Sequence, residues 1–283
     1  MWPANFEYVR ASTPAEAIDL LSQNDGAKLL AGGHSLIPAL KLRLNEPALL
    51  VDIGRIAALK SISANGTLKI GALSTHAEVS GSSTVKGYAS ALAQAADHIG
   101  DPAVRNFGTI GGNIAHADPA SDPPTVLTAY DATIHIQGAS GARTVKAADF
   151  FVDLFTTDLQ SNELVTAVEI ANQGTSKSAY AKLSHPASRY AVVGVCVVLQ
   201  MNGSTCQSAR VAVGGATVKA VRSPSAEAAL AGSSLDSAAL DAAASAVMKD
   251  IQDYVTGDVS FPSDYRHAMA GVYLKRAVRQ AIS

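Results

Sequence analysis

Cysteine is scarce in this sequence, with only Cys196 and Cys206 among 283 residues. Two thiols cannot hold an iron–sulfur cluster, which takes four cysteine ligands, so the chain has no such cluster of its own. Because Cys196 lies inside the apolar run 191–201, buried core thiols are favoured over a disulfide or a metal-binding pair.

Charged residues are also few. They make up 16% of the chain, against roughly 25% in ordinary soluble proteins, whereas hydrophobic residues make up 48% and can form a substantial core. The net charge is −2 and no basic run occurs, which argues against a nucleic-acid partner. The low charge indicates either a surface covered by another subunit or a bias toward small residues, and composition leaves both open.

Long apolar runs are absent as well. The run 191–201 is far too short to span a bilayer. The N-terminal segment contains Pro3, Glu7 and Glu16, where a signal peptide needs an unbroken apolar core. We therefore expect a cytoplasmic protein without a membrane span.

The common catalytic signatures are missing too. No GxxxxGK[ST] phosphate loop occurs, and Gly32-Gly33 does not belong to a GxGxxG dinucleotide fingerprint. Around Ser35 the nucleophile-elbow pattern fails, because Ile37 stands where its last glycine belongs. With no acid–base constellation in sight, the chain is expected to hold a cofactor that supplies its own chemistry.

A metal site is a weaker alternative. His116, Asp118 and Asp122 have a spacing that could place three ligands together. The glycines and prolines around them favour a loop that lines an organic ligand instead.

Glycine is concentrated in two places. Residues 108–124 read GTIGGNIAHADPASDPP, and residues 31–35 read AGGHS after a short apolar run. Glycine permits positive φ and close approach to a ligand, and successive backbone N–H groups in such loops bind anions without a lysine. Two such loops suit a large ligand with two phosphates, namely a nucleotide cofactor. Purely structural turns remain the alternative from the residues alone.

The first part of the chain is predicted to be mixed α/β. Thr13-Pro14 has the features of a helix start, and this helix would be followed by strands at 29–31 and 49–53, an early β–α–β alternation that is typical of a mixed α/β domain. Asn65-Gly66 predicts a hairpin over 62–70. Further elements are expected at these positions: a helix at 90–99, a hairpin at 132–145 and a strand at 163–170.

A break in composition at 172–176 separates a second part. Three strands are predicted there, at 179–183, 191–201 and 208–213, with helices at 225–231, 235–251 and 263–281. The simplest division is a ligand domain over 1–173, with two α/β subdomains at roughly 1–55 and 56–173, and a smaller domain over 174–283.

Four segments carry a specific resemblance. AGGHSLIPALKLRL (31–44), RNFGTIGGNIAHADPASDPP (105–124), DFF (149–151) and HPASRYAVVGV (185–195) resemble the FAD-binding medium subunit of molybdenum hydroxylases, the carbon monoxide dehydrogenase and xanthine dehydrogenase family. The likeness runs over about 6–215 and is weaker beyond. It implies an α+β fold: a PCMH-type FAD-binding domain like that of vanillyl-alcohol oxidase, then a small domain of a three-stranded antiparallel sheet with helices.

The resemblance also implies a set of cofactor-binding residues. Those around the pyrophosphate and adenosine would be Leu29, Leu30, Ala31, Gly32, Gly33, His34, Ser35 and Leu36, together with Thr109, Ile110, Gly111, Gly112 and Asn113. Ile99 would pack on FAD, Asp122 would bond ribityl or ribose hydroxyls, and Val165, Lys182 and Tyr190 would lie on the flavin side. Arg189 departs from the family, where a small residue is common.

The function implied is electron transfer. Substrate would be hydroxylated at a molybdopterin cofactor in a large subunit, and electrons would pass through [2Fe–2S] clusters of a small subunit to FAD here and on to an external acceptor. The assembly would be a dimer of heterotrimers. The alternatives are a stand-alone flavin oxidase and a binding module that has lost its cofactor site, and the intact glycine loops argue against the latter.

Overall fold

The structure is a computed structural model that describes residues 2–283. Its strands are β1 (Glu7–Arg10), β2 (Lys28–Leu30), β3 (Leu49–Asp52), β4 (Ile62–Asn65), β5 (Thr67–Gly71), β6 (Thr133–Gly138), β7 (Gly141–Lys146), β8 (Phe151–Asp153), β9 (Thr156–Thr157), β10 (Glu163–Ala171), β11 (Lys177–Ser184), β12 (Ala191–Asn202), β13 (Thr205–Gly214) and β14 (Val221–Arg222). Its α-helices are α1 (Pro14–Gln23), α2 (Leu36–Lys41), α3 (His76–Gly81), α4 (Ser83–Tyr88), α5 (Ser90–Asp97), α6 (Pro102–Phe107), α7 (Ile110–His116), α8 (Asp122–Ala129), α9 (Ala147–Phe150), α10 (Pro224–Leu230), α11 (Ser237–Ile251) and α12 (Ser263–Ile282).

The N-terminal sheet has three parallel strands in the order β1-β3-β2. Helix α1 begins where predicted, because the Thr13 hydroxyl accepts the Glu16 N–H at 3.1 Å and Pro14 occupies the first turn. The helix buries Ala17, Ile18 and Leu21, which form a core with strand β3. The predicted β–α–β alternation is confirmed.

A five-stranded antiparallel sheet follows, in the order β4-β5-β10-β6-β7. The predicted hairpin is present, with Gly66 at φ +75° in its turn. Alanine-rich α5 and the wholly buried α8 belong to the core that this sheet forms. The sheet, the helices over it and the β–α–β unit before it are the mixed architecture that the resemblance implies.

The C-terminal sheet contains the three predicted strands in the order β11-β12-β13, and the two-residue β14 extends it. Strand β12 is buried from residue 191 to 199 because it pairs on both sides and is covered. Helices α10 and α12 pack against this sheet and α11 packs on these two helices, and together they form a separate hydrophobic cluster. No helix among residues 2–283 combines the length and apolar character that a membrane crossing requires.

The glycine-rich stretch 108–124 is not the open loop predicted from its composition. It folds into α7 and α8, joined by residues 117–121. Thr109 caps α7 by accepting the Gly112 N–H at 3.1 Å. A Cβ on Gly111 would lie 2.5 Å from the Ala72 Cβ, so that glycine serves close packing rather than an unusual φ.

Candidate functional site

The first glycine loop, residues 31–35, connects β2 to α2 and is the most open backbone of the candidate site. Gly33 has φ +73°, which reverses the chain at little strain because glycine has no Cβ. The N–H groups of all five residues from Ala31 to Ser35 have no hydrogen-bond acceptor within residues 2–283. The loop is half-buried to exposed, and a run of accessible, successive N–H donors of this kind is suited to an anionic ligand.

The loop rests on the segment that precedes α7. A Cβ on Gly32 would lie 1.8 Å from the carbonyl oxygen of Phe107, so only glycine fits there. The His34 ring stacks on the Phe107 ring, with centroids 5.5 Å apart and planes inclined by 9°. On the other side, the Ala31 Cβ lies 3.8 Å from the position of a Cβ on Gly112. The two predicted glycine segments are therefore neighbours.

The first turn of α7 does not offer a second set of free N–H groups, and this expectation was wrong. Ile110 N–H donates to Ser74 O at 3.0 Å, and Gly111 N–H donates to Ala72 O at 2.8 Å. With the Gly112 N–H held by Thr109, the packing of α7 against residues 72–74 uses these donors.

Asn113 contributes a side-chain acceptor instead. Its Nδ2 donates to the Ser121 hydroxyl at 3.1 Å. Its Oδ1 is buried and has no hydrogen-bond partner in the described part of the chain. A buried acceptor of this kind is costly unless a ligand or water satisfies it, so it points to a bound donor such as a hydroxyl.

Asp122 and Lys182 form a buried ion pair. Lys182 Nζ lies 2.8 Å from Asp122 Oδ2, and only 1% and 4% of the two side chains are exposed. Tyr180 donates its hydroxyl to the other oxygen, Oδ1, at 2.6 Å. Burial raises the pKa of Asp122, and the adjacent Lys182 ammonium opposes that rise.

Lys182 also connects this pair to the end of α5. Its Nζ donates to the carbonyl of His98 at 3.3 Å, while Arg105 donates to the carbonyl of Ile99 at 2.9 Å. Two cations therefore satisfy the C-terminal carbonyl groups of the α5 segment. Ile99 is half-buried and directly follows His98, whose carbonyl accepts from Lys182.

The remaining candidates lie in different elements and differ in burial. Leu29 and Leu30 are in β2, and Leu36 begins α2. Val165 lies in β10 and is buried in the core of the five-stranded sheet. Tyr190 is 44% exposed. The N–H of its neighbour Ala191 donates to the carbonyl of Ala120 at 3.1 Å, which places Tyr190 beside the segment before Asp122.

The three residues considered for a metal have separate partners. The His116 ring packs on the Phe155 ring with centroids 5.2 Å apart. Asp118 accepts the Ala120 N–H at 2.9 Å, and Asp122 is paired with Lys182. Each of these three side chains therefore makes a different contact within the protein.

Two residues that the sequence reasoning passed over belong to the site. Tyr180 is one, and its signal was available, because residues i and i+2 of a strand share a face and Lys182 was already a candidate. The other is His76, which no motif marks. Its N–H donates to Gly108 O at 2.9 Å, and a Cβ on Gly108 would lie 2.9 Å from its Cδ2.

His76 is expected to make the stability of the fold acid-sensitive. Burial, helped by nearby His34, lowers the pKa of His76 from 6.5 to about 4. On acidification the unfolded chain is protonated first, so stability present above pH 6.5 is lost as the pH falls. Between pH 7 and pH 5, the free energy of unfolding of His76→Gln should therefore fall by about 2 kcal/mol less than that of the native chain. Urea unfolding at both pH values measures this difference, with His116→Gln as the exposed control; parallel pH curves for all three proteins would contradict it.

Comparison with known proteins identifies the family. Residues 4–172 match the model of the FAD binding domain in molybdopterin dehydrogenase, and residues 178–281 match the CO dehydrogenase flavoprotein C-terminal domain. The chain belongs to this family of molybdenum-hydroxylase flavoproteins. It is therefore a medium subunit, the FAD-binding one, of an oxidoreductase.

Individual relatives cover nearly the whole chain. The glyceraldehyde dehydrogenase medium chain of Sulfolobus acidocaldarius is 40% identical over 94% of this chain and 92% of its own. The carbon monoxide dehydrogenase medium chain of Hydrogenophaga pseudoflava is 38% identical over 99% and 98%.

Solved structures agree in fold. The H. pseudoflava carbon monoxide dehydrogenase lacking the Mo-pyranopterin moiety aligns with a TM-score of 0.95 at 38% identity, over 100% of this chain and 99% of that one. Quinoline 2-oxidoreductase of Pseudomonas putida 86 aligns with 0.94 at 30% identity, over 99% and 98%.

The residues present fit FAD. A pyrophosphate needs several donors, and the 31–35 loop has five N–H groups without an acceptor in the described chain. A ribityl or ribose hydroxyl needs an acceptor, and Asn113 Oδ1 is a buried acceptor that has no partner among residues 2–283.

Proposed function

We propose that this chain binds FAD and passes electrons through it, from [2Fe–2S] clusters of a small partner subunit to an external acceptor. The observation that carries the proposal is the 31–35 loop, whose five N–H groups have no acceptor in residues 2–283 and adjoin α7. Bound FAD supplies the redox chemistry, because a flavin accepts electrons singly and releases them in pairs.

The chain's own residues would divide the cofactor between them. The N–H groups of residues 31–35 would bind the pyrophosphate, and Gly32 would keep the loop against Phe107 so that these donors stay aligned. Asn113, Asp122 and Lys182 would face the ribityl and flavin half. The start of α7 would support the loop, through Thr109, Ile110, Gly111 and Gly112. The flavin side would be lined by Ile99, Val165 and Tyr190.

Partner subunits would surround the chain. Its relatives from S. acidocaldarius and H. pseudoflava are each the medium chain of their enzyme, so a small iron–sulfur and a large molybdopterin subunit are proposed, assembled as a dimer of heterotrimers. Large apolar side chains are available for such contacts, since Trp2 is 85% and Leu44 78% exposed. We further propose a cytoplasmic location, an FAD-binding domain at 1–173 and a second domain at 174–283.

The purified chain should bind one FAD and yet fail to oxidise an organic substrate. Dithionite should bleach the flavin, whereas candidate substrates, such as carbon monoxide, aldehydes and N-heterocycles, should bleach it only after both partner subunits are added. Stopped-flow absorbance of the chain alone and of the reconstituted complex measures the difference.

Two outcomes would contradict the proposal. Failure of the chain to retain FAD would remove the cofactor assignment. Substrate oxidation by the metal-free single chain at rates typical of enzymes, about 1–10³ per second, would replace electron transfer with a stand-alone oxidase.

A further inference from the structure

Tyr180 is an unusually constrained tyrosine. Its ring is fully buried on β11, and its hydroxyl donates to Asp122 Oδ1 at 2.6 Å. Burial first, and then the adjacent Asp122 carboxylate, raise the pKa of Tyr180 well above its ordinary value, so the hydroxyl stays a donor. Tyr180 and Lys182 each bond one of the two carboxylate oxygens.

The neighbouring strand is shaped to admit this hydroxyl. Gly194 on β12 faces Tyr180, and a Cβ there would lie 2.2 Å from the tyrosine oxygen. Gly194 does not have positive φ, so backbone conformation does not account for the glycine. The glycine is instead explained by the space that the Tyr180 hydroxyl needs, because the side chain of any other residue would displace this hydroxyl from Asp122.

Lys182 has donor capacity beyond these contacts. An ammonium group has three N–H donors, and Asp122 Oδ2 and His98 O accept bonds at 2.8 Å and 3.3 Å. Within residues 2–283 these are its two acceptors, so a third donor is without a partner there, on a side chain that is 1% exposed. The carboxylate helps to hold the ammonium group in place, and Tyr180 holds the carboxylate.

We propose that Tyr180 is a positioning residue of the cofactor site: its hydroxyl holds the Asp122 carboxylate, which in turn directs the Lys182 ammonium toward the ribityl–flavin half of FAD. This inference rests on the proposed function, because it assumes that FAD occupies the site. It adds a residue that touches Asp122 rather than the cofactor.

Tyr180→Phe removes a single oxygen atom and should weaken FAD binding about tenfold, because FAD must then order an ammonium group that the held carboxylate no longer keeps in place. ADP lacks the ribityl chain and the flavin, so its affinity should stay within about twofold. Fluorescence titration of FAD and calorimetric titration of ADP into the flavin-free full chain measure both constants. Gly194→Ala is a second variant, which displaces the hydroxyl and should show the same selective loss.

The matched control is Tyr130→Phe. Tyr130 is also buried, and its hydroxyl lies 2.6 Å from the Ser178 hydroxyl rather than at Asp122. It should leave both affinities within about twofold of the native values. A double-mutant cycle adds a further readout: in an Asp122→Asn/Lys182→Met background, Tyr180→Phe should no longer change FAD affinity, because there is no charge left to position.

Three results would overturn the inference. These are an unchanged FAD affinity in Tyr180→Phe, an equal loss of FAD and ADP affinity, and an undiminished effect in the uncharged background. Failure of the proposed function is distinguishable, because then the native chain itself would show no FAD binding.

Discussion

Replacing Gly32 by alanine should abolish FAD retention and lower the free energy of unfolding by about 3 kcal/mol. The added Cβ would lie 1.8 Å from Phe107 O and 3.2 Å from Gly108 Cα. These are backbone atoms next to the capped start of α7, so no side-chain rotation relieves the overlap. The 31–35 loop must move away from α7, and its aligned N–H groups are lost with it.

The flavin-to-protein ratio after gel filtration and urea unfolding of the flavin-free chain measure the two effects separately. Gly87→Ala is the matched control, because Gly87 lies in α4 with nothing within 4 Å of its Cβ position. It should be neutral or stabilising by up to about 1 kcal/mol, since alanine is the better helix former. A Gly32→Ala protein that purifies yellow and unfolds at the native urea concentration would disprove the loop assignment.

The sequence was sufficient for most of the architecture because local signals decide it. Thr13-Pro14 marks a helix start, and Asn65-Gly66 marks a hairpin with φ +75° at its glycine. The 31–35 loop was also predictable as a donor-rich turn, since its glycines follow a strand directly. These features depend on neighbours in sequence, and the structure leaves them as expected.

The stretch 108–124 shows where local reasoning fails. Glycine allows positive φ, but it also allows close packing, and the sequence does not say which is used. Gly111 lies in a helix and contacts Ala72, whose carbonyl takes the N–H that an open loop would have exposed. Of the two glycine-rich segments, it is therefore the 31–35 loop whose N–H groups are without acceptors in the described residues.

The buried polar group escaped prediction for a different reason. Tyr180 and Asp122 are 58 residues apart, and Lys182 and Asp122 are 60 apart. Asp122 and Lys182 were separate candidates and Tyr180 was not one. Only the packing of α8 on the C-terminal sheet, against β12 and β13, brings the three side chains together. Long-range pairing of this kind has no signature in the order of residues.

Breaking that unit should have the largest effect on stability. Lys182→Met leaves the Asp122 carboxylate buried with Tyr180 as its one remaining side-chain donor within residues 2–283, and removing one partner of a buried pair costs about 3–5 kcal/mol. The uncharged double variant Asp122→Asn/Lys182→Met should recover most of this loss, because a neutral pair of similar size does not carry an uncompensated charge. Urea unfolding at pH 7 compares the three proteins.

The pH dependence and a surface control complete this test. In Lys182→Met the pKa of Asp122 should rise further, since the group that opposes burial is gone. The folded variant then takes up a proton before the unfolded chain does, so its deficit relative to the native protein should shrink from pH 7 to pH 5. Lys146→Met removes an exposed pair with Asp131, where 50% and 34% of the side chains are exposed, and should cost less than about 1 kcal/mol. If the two lysine variants lose the same free energy of unfolding at every pH, the charge of Asp122 does not depend on Lys182. Such a result would contradict the electrostatic explanation of this site.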